Sequence, residues 1–352
     1  MILIEKIYRY SWSYDAHYRF FCVHNSCHQL MGYDGVENRG LYLNCVWDCS
    51  VDYDTSRPYG FSISSDSTPL LDDCSPWYQF TFHDDYEKAW QENCRILNTG
   101  RPVIIALDRY YLPYAADFSR RHGAHAALLF GYAENTKKAF IVDWYPDEFY
   151  IGPVCYIDLR KARLSDNAWN GNINSGRELK CASLVLSEGI PSGGYKQVIS
   201  TIDAIHNQYF SCEQPCHGQG ALQNLLKTIL DNSQNPPRVS LFSYLYRQLF
   251  PQVQKKILLD YYLEQASVFN KDMFQSARRY LHTIIYEWEN ILQNLMRLAY
   301  SEKQNKKTLQ DELRYSLQSV FSQELTLGIG LDELAAKLRK KGMCSVISEQ
   351  HK

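Results

Sequence analysis

Apolar residues follow two different patterns along the chain. In the stretch RPVIIALDRYYLPYAADFSRRHGAHAALLFGYAENTKKAFIVDWYP, residues 101–146, three short apolar runs at 103–107, 124–130 and 139–142 are separated by polar and turn-forming residues. Their length and their β-branched or aromatic content predict strands. The unbroken first run predicts a strand buried on both faces. The polar ENTKK between the second and third runs predicts an antiparallel hairpin. From about Gly194 onward the apolar positions instead recur three and four apart, as in LFSYLYRQLF and YLHTIIYEWENILQNLMRLAY. That spacing predicts helices at 195–209, 219–230, 239–249, 252–266, 271–300, 306–325 and 331–341, with GIG at 328–330 as a turn before the last.

The first half carries weaker signals. A strand is expected at 2–8, and FFCVHNSCHQLMGYDG predicts a short helix capped by Asn25 or Ser26 and ended by Gly32 and Gly35. Residues 37–75 read as short strands and loops running over a sheet edge. A helix is expected at 84–98, closed by Gly100, followed by the three strands, an irregular connection over 144–176 and a last strand within 177–189. The fold class expected is therefore α+β: an antiparallel-sheet domain over 1–185 and an all-helical domain over 186–352.

Composition narrows the function. The 352 residues suffice for two cores. With 37 basic against 39 acidic side chains the net charge is -2, which gives no electrostatic case for nucleic acid; LRKK at 338–341 is a small positive end. No run approaches the length of a membrane span, and the first twenty residues lack the pattern of a secretory signal. The 11 cysteines have no regular spacing and ask for no disulfide framework, so the expected location is the reducing cytoplasm. The 27 tyrosines fit either a lined pocket or an aromatic core.

Candidate chemistry sits at the ends of the predicted strands. His125 enters the second run, Asp143 closes the third and Asp108 closes the first. In an antiparallel hairpin, His125 and Asp143 are expected opposite one another at one edge, an imidazole oriented by a carboxylate. His122 competes for the histidine role but follows two arginines and is expected to be more exposed. The nucleophile to match is Cys22, before or within the first turn of its helix, where N-H groups lower a thiol's pKa. Cys27 is the alternative nucleophile, expected to face the core. A buried-hydrophobe reading stands beside both, and a strand-capping one beside Asp143. No zinc pattern fits the histidines and cysteines at 22–28 or the CEQPCHGQG loop at 212–220, so no metal is expected.

Cys22 followed thirteen residues later by Gly35, RPVIIALDRYYLPY at 101–114, HGAHAALLFGY at 122–132 and FIVDWY at 140–145 together resemble the butirosin biosynthesis protein H family. That resemblance implies a papain-like, C39-type cysteine peptidase fold over the first domain and a helical second domain. It also implies an acyltransferase that moves an acyl or aminoacyl group from the thioester of an acyl or peptidyl carrier protein to a small amine, in antibiotic or nonribosomal-peptide biosynthesis. Carried over by motif, Cys22 is the nucleophile, His125 the base and Asp143 its orienting acid. Asp108 is expected to be structural or an anchor for a substrate amine, and Tyr111 and Tyr114 are, with it, the possible substrate-binding residues. No cofactor is expected beyond the 4'-phosphopantetheine of the carrier. A C39-like peptidase or thioester hydrolase would use the same three residues, and a noncatalytic scaffold binding a carrier or synthetase would use none.

Overall fold

The computed structural model describes residues 1–7, 21–64, 70–145, 148–166, 180–187, 195–211, 214, 216–231, 239–300 and 306–349. In chain order the strands are β1 (Ile2–Leu3), β2 (Ser50–Asp52), β3 (Ser62–Ser64), β4 (Tyr78–Thr81), β5 (Val103–Asp108), β6 (Ala124–Ala133), β7 (Lys138–Tyr145), β8 (Glu148–Cys155) and β9 (Ser183–Leu186). The α-helices are α1 (Cys22–Tyr33), α2 (Tyr86–Asn98), α3 (Tyr156–Leu164), α4 (Tyr195–Ile205), α5 (Gly218–Asp231), α6 (Val239–Ala266), α7 (Lys271–Tyr300) and α8 (Lys306–Glu349). They form two compact units, residues 1–44 with 68–192 and residues 45–67 with 193–352.

The first unit is built on a seven-stranded sheet, order β4-β9-β5-β6-β7-β8, with β1 on the part of β6 that β5 leaves uncovered. Each pairing is antiparallel. The hairpin expected from ENTKK forms, with β6 and β7 joined by a turn over 134–137. β5 is buried along nearly its whole length, as its apolar run predicts. α2 begins where expected, with the Asp85 carboxylate accepting from the Lys88 N-H at 2.9 Å.

Three local expectations give way here. α1 starts at Cys22 with Phe21 as its N-cap and no side-chain cap; Asn25 and Ser26 lie inside the helix and are buried, because the helix packs against β6 and β7. Gly32 is helical, and Gly35, at φ +79°, follows the end. The connection expected over 144–176 instead supplies β8 and α3: Lys138 to Tyr145 of β7 find a complete antiparallel partner in Glu148 to Cys155. The expected strand at 2–8 shortens to two residues, and Tyr8 lies outside the described residues, as do 167–179 of the connection.

The second unit is helical, but it also takes in residues 45–67, which the sequence reading assigned to the sheet domain. β2 and β3 pair as a small hairpin, and Trp47 is fully buried against Tyr209, ring centroids 5.2 Å apart. The side chain of Gln248 accepts from the Ile63 N-H, and the Tyr244 hydroxyl donates to the Phe61 carbonyl. Residues 216–218 pair with this hairpin through the Cys216 carbonyl and Gly218 N-H, while Cys212 of the CEQPCHGQG loop lies outside the described residues. Two expected helix breaks are absent. Pro251 lies within α6, and the GIG sequence is helical within α8. Each glycine costs only about 1 kcal/mol in a helix, and a Cβ on Gly328 would come within 3.1 Å of the Phe210 ring, so close packing offsets the propensity. Among the described residues no helix is long and apolar enough to cross a membrane.

Candidate active site

Helix α1 and the β6-β7 hairpin bring three groups to one side of the sheet. Cys22 is the first residue of α1, half-buried, with a helix start whose leading N-H groups have no partner within the helix. His125 Nε2 is 2.6 Å from Asp143 Oδ1, and both residues are buried. The charge of the imidazole also acts on the Cys22 thiol beside it, and with Nε2 engaged by Asp143 its Nδ1 is the nitrogen left to serve the sulfur. Cys22, His125 and Asp143 therefore meet. The α1 helix is fixed beside β7 by the Asn25 amide, which donates to the Trp144 carbonyl at 3.4 Å.

The meeting of His125 and Asp143 depends on a β-bulge rather than on the turn alone. Beyond the turn, Gly131 faces Phe140 and Tyr132 faces Ala139; after a shift at Phe130, Leu129 faces Ile141 and Leu128 faces Val142. Continued, the second register sets Asp143 level with Ala127, on the same face as His125 and diagonal to it. Without the shift, Asp143 would be level with Leu128 and its side chain would leave from the opposite face. The expected directly opposed pair is thus a diagonal one.

The electrostatics follow from this packing. Burial pushes the Cys22 thiol up, but the His125 charge and the Ala126 N-H together hold it below its ordinary value. Burial opposes a charged His125, yet the Asp143 carboxylate and the Cys22 sulfur raise it from 6.5 to about 10. A thiolate-imidazolium pair held by a carboxylate is the favoured state, which is the form of a cysteine ready to attack a carbonyl.

The remaining sequence candidates take other places. Cys27 is buried on the inner side of α1 near Cys74, and burial with that neighbouring sulfur pushes its thiol far up, which disfavours the thiolate that a nucleophile needs. Asp108 is fully buried and accepts four hydrogen bonds, from the Tyr110 and Gly123 N-H groups at 3.0 Å, from His122 Nδ1 at 2.7 Å and from Ser165 Oγ at 2.5 Å. With both oxygens occupied it clamps the two ends of the 109–123 loop, and it has no capacity left for a substrate amine. His122 belongs to that clamp and stacks on Tyr110 at 4.1 Å. Tyr111 packs edge-on against the same ring. Tyr114, expected at the substrate, donates its hydroxyl to Asp143 Oδ2 at 2.6 Å. Sequence reasoning missed Ser165 and Tyr150, whose ring lies parallel to that of Tyr114 at 3.9 Å. Both come from the region taken as irregular, so no periodicity pointed to them.

Fold and site together define a cysteine-histidine-aspartate constellation, the thiol on a helix and the other two groups on neighbouring antiparallel strands. Residues 70–144 match the family model described as butirosin biosynthesis protein H, N-terminal, so the family resemblance holds over that stretch. The match includes His125 and Asp143 and stops short of Cys22. A comparison with curated proteins found no match.

Proposed function

We propose that the protein is a cysteine-dependent acyltransferase in a butirosin-type biosynthetic route. It would take an acyl or aminoacyl group from the phosphopantetheine thioester of a carrier protein and deliver it to a small amine. The observation that carries the reading is the half-buried Cys22 at a helix start beside a buried His125, whose Nε2 lies 2.6 Å from Asp143 Oδ1. The family match at 70–144 supports a biosynthetic role.

In the first step the Cys22 thiolate attacks the thioester carbonyl, and the carrier's sulfur leaves with the proton of the His125 imidazolium. An acyl-enzyme thioester remains. Backbone N-H groups at the start of α1 would hold the oxyanion as it forms. In the second step the acceptor amine attacks the acyl carbon while His125, now neutral, takes its proton, and the amide departs as Cys22 is regenerated. Asp143 keeps the imidazole oriented throughout and compensates its charge.

Intact-protein mass spectrometry after incubation with acyl-carrier thioesters tests the scheme. A mass increase equal to the acyl group is expected, located on the Cys22 peptide, absent from Cys22→Ala and discharged by an added amine. An adduct that persists in Cys22→Ala, or discharge by water with no response to amines, would overturn the transfer reading.

A further inference from the structure

The carboxylate of Asp143 has two oxygens, and His125 uses one of them. The other, Oδ2, is held by the Tyr114 hydroxyl at 2.6 Å. Tyr114 is in turn fixed on its flat face: the Tyr150 ring is parallel to it within 3°, centroids 3.9 Å apart. The Tyr150 hydroxyl donates to the Pro153 carbonyl of its own strand at 2.8 Å, which sets the direction of the ring. Residue 152 lies under that hydroxyl. A Cβ there would stand 2.8 Å from Tyr150 Oη and 3.0 Å from Cζ, so a glycine is required for the ring to lie where it does.

From this chain of contacts we infer that Tyr114 is a positioning residue for the reactive cysteine, acting through Asp143 and His125 and itself held by Tyr150 and Gly152. The inference rests on the assignment of Cys22 as nucleophile. A tyrosine hydroxyl on Oδ2 stops the carboxylate from rotating and spreads its negative charge, which otherwise opposes the thiolate. The charged and titratable groups facing Tyr114 are Asp143, Tyr150 and Arg109; those facing Cys22 are His125, Asp143 and, on its own helix, Cys27. Loss of the hydroxyl affects the sulfur in one direction by either route. A carboxylate freed to turn weakens the imidazolium that stabilises the thiolate, and one that stays but lacks a donor repels the thiolate more. Both raise the pH at which Cys22 ionises.

The test is the pH dependence of iodoacetamide alkylation, quantified on the Cys22 peptide. In Tyr114→Phe, which keeps the stacked ring, the acid midpoint should move up by about half a unit or more, since a hydrogen bond to a charged group is worth roughly one pH unit. Gly152→Ala, which displaces Tyr150, should move it the same way. A substitution that only loosens the fold lowers thermal stability without shifting this midpoint. An unchanged midpoint in Tyr114→Phe, with the wild-type midpoint well below an ordinary thiol, would overturn the positioning role and leave the nucleophile assignment standing. A wild-type midpoint that is itself ordinary would overturn both.

Discussion

Asp143→Asn removes one charge while keeping shape and much of the hydrogen-bonding capacity, so it isolates what the carboxylate does for the thiol. Oδ1 is 2.6 Å from Nε2, and the charge centres of the two groups are about 4 Å apart. At an effective dielectric near 20 that separation is worth about 4 kcal/mol, or roughly three pKa units for His125. Burial opposes a charged ring there, so without Asp143 the imidazole falls from about 10 back toward its ordinary 6.5. Cys22 then loses the cation that offsets its own burial. The direct repulsion it feels from Asp143 is the weakest influence on it, so relief of that repulsion does not compensate. An ordinary thiol is no more than a few per cent ionised at pH 7, and alkylation of Cys22 at that pH should slow by about 30-fold. The assay is timed iodoacetamide labelling between pH 5 and 9, read on the Cys22 peptide against the exposed Cys155 as an internal standard. Equal rates for wild type and Asp143→Asn at pH 6 to 7 would refute the thiolate-imidazolium assignment.

Other perturbations reach different parts of the molecule. His125→Ala should abolish acyl-enzyme formation and return Cys22 labelling to that of a buried thiol, whereas His122→Ala should leave both intact, because His122 serves the Asp108 clamp. Although burial disfavours the Asp108 carboxylate, the hydrogen bonds from Ser165, His122, Gly123 and Tyr110 outweigh it and hold it below 3.8. Its folded value is below its unfolded one, so its contribution is present above about pH 4 and is lost as pH falls through the folded value. Asp108→Asn should flatten that acid loss in urea titrations and lower stability at pH 7 by about 2 to 4 kcal/mol. In the helical unit, Glu324 sits buried 3.2 Å from Lys256 and accepts from Trp288, Tyr209 and Gln219. Glu324→Ala orphans these donors and should cost about 3 to 5 kcal/mol. Lys256→Met, which leaves the carboxylate with its three donors, should cost less; the reverse order in denaturant midpoints would contradict this account.

Local pattern carried the elements that local physics decides. The β5 run, the β6-β7 hairpin and the long amphipathic α7 were legible because burial on a strand or a helix face imposes a short period on the sequence. The three site residues could be named because a cysteine at a helix start and polar residues at strand ends break that pattern. What the sequence did not reveal were long-range effects. The side of the sheet from which Asp143 projects is set by a one-residue register shift at Phe130, and no turn sequence encodes it. Cys27 and Cys22 are both cysteines of one short helix, and it took the packing against β6 and β7 to bury the first and leave the second half-open. The sequence alone does not reveal that the Tyr114 hydroxyl is taken up by Asp143, nor does it choose between the structural and substrate readings of Asp108, whose four donors come from residues 110, 122, 123 and 165. Residues 45–67 have too little apolar surface of their own to declare a unit, and they are assigned by what buries Trp47. The sequence by itself determined which candidate groups this chain carries and on which elements. Tertiary structure decided which groups face one another, because register and packing depend on partners far away along the chain.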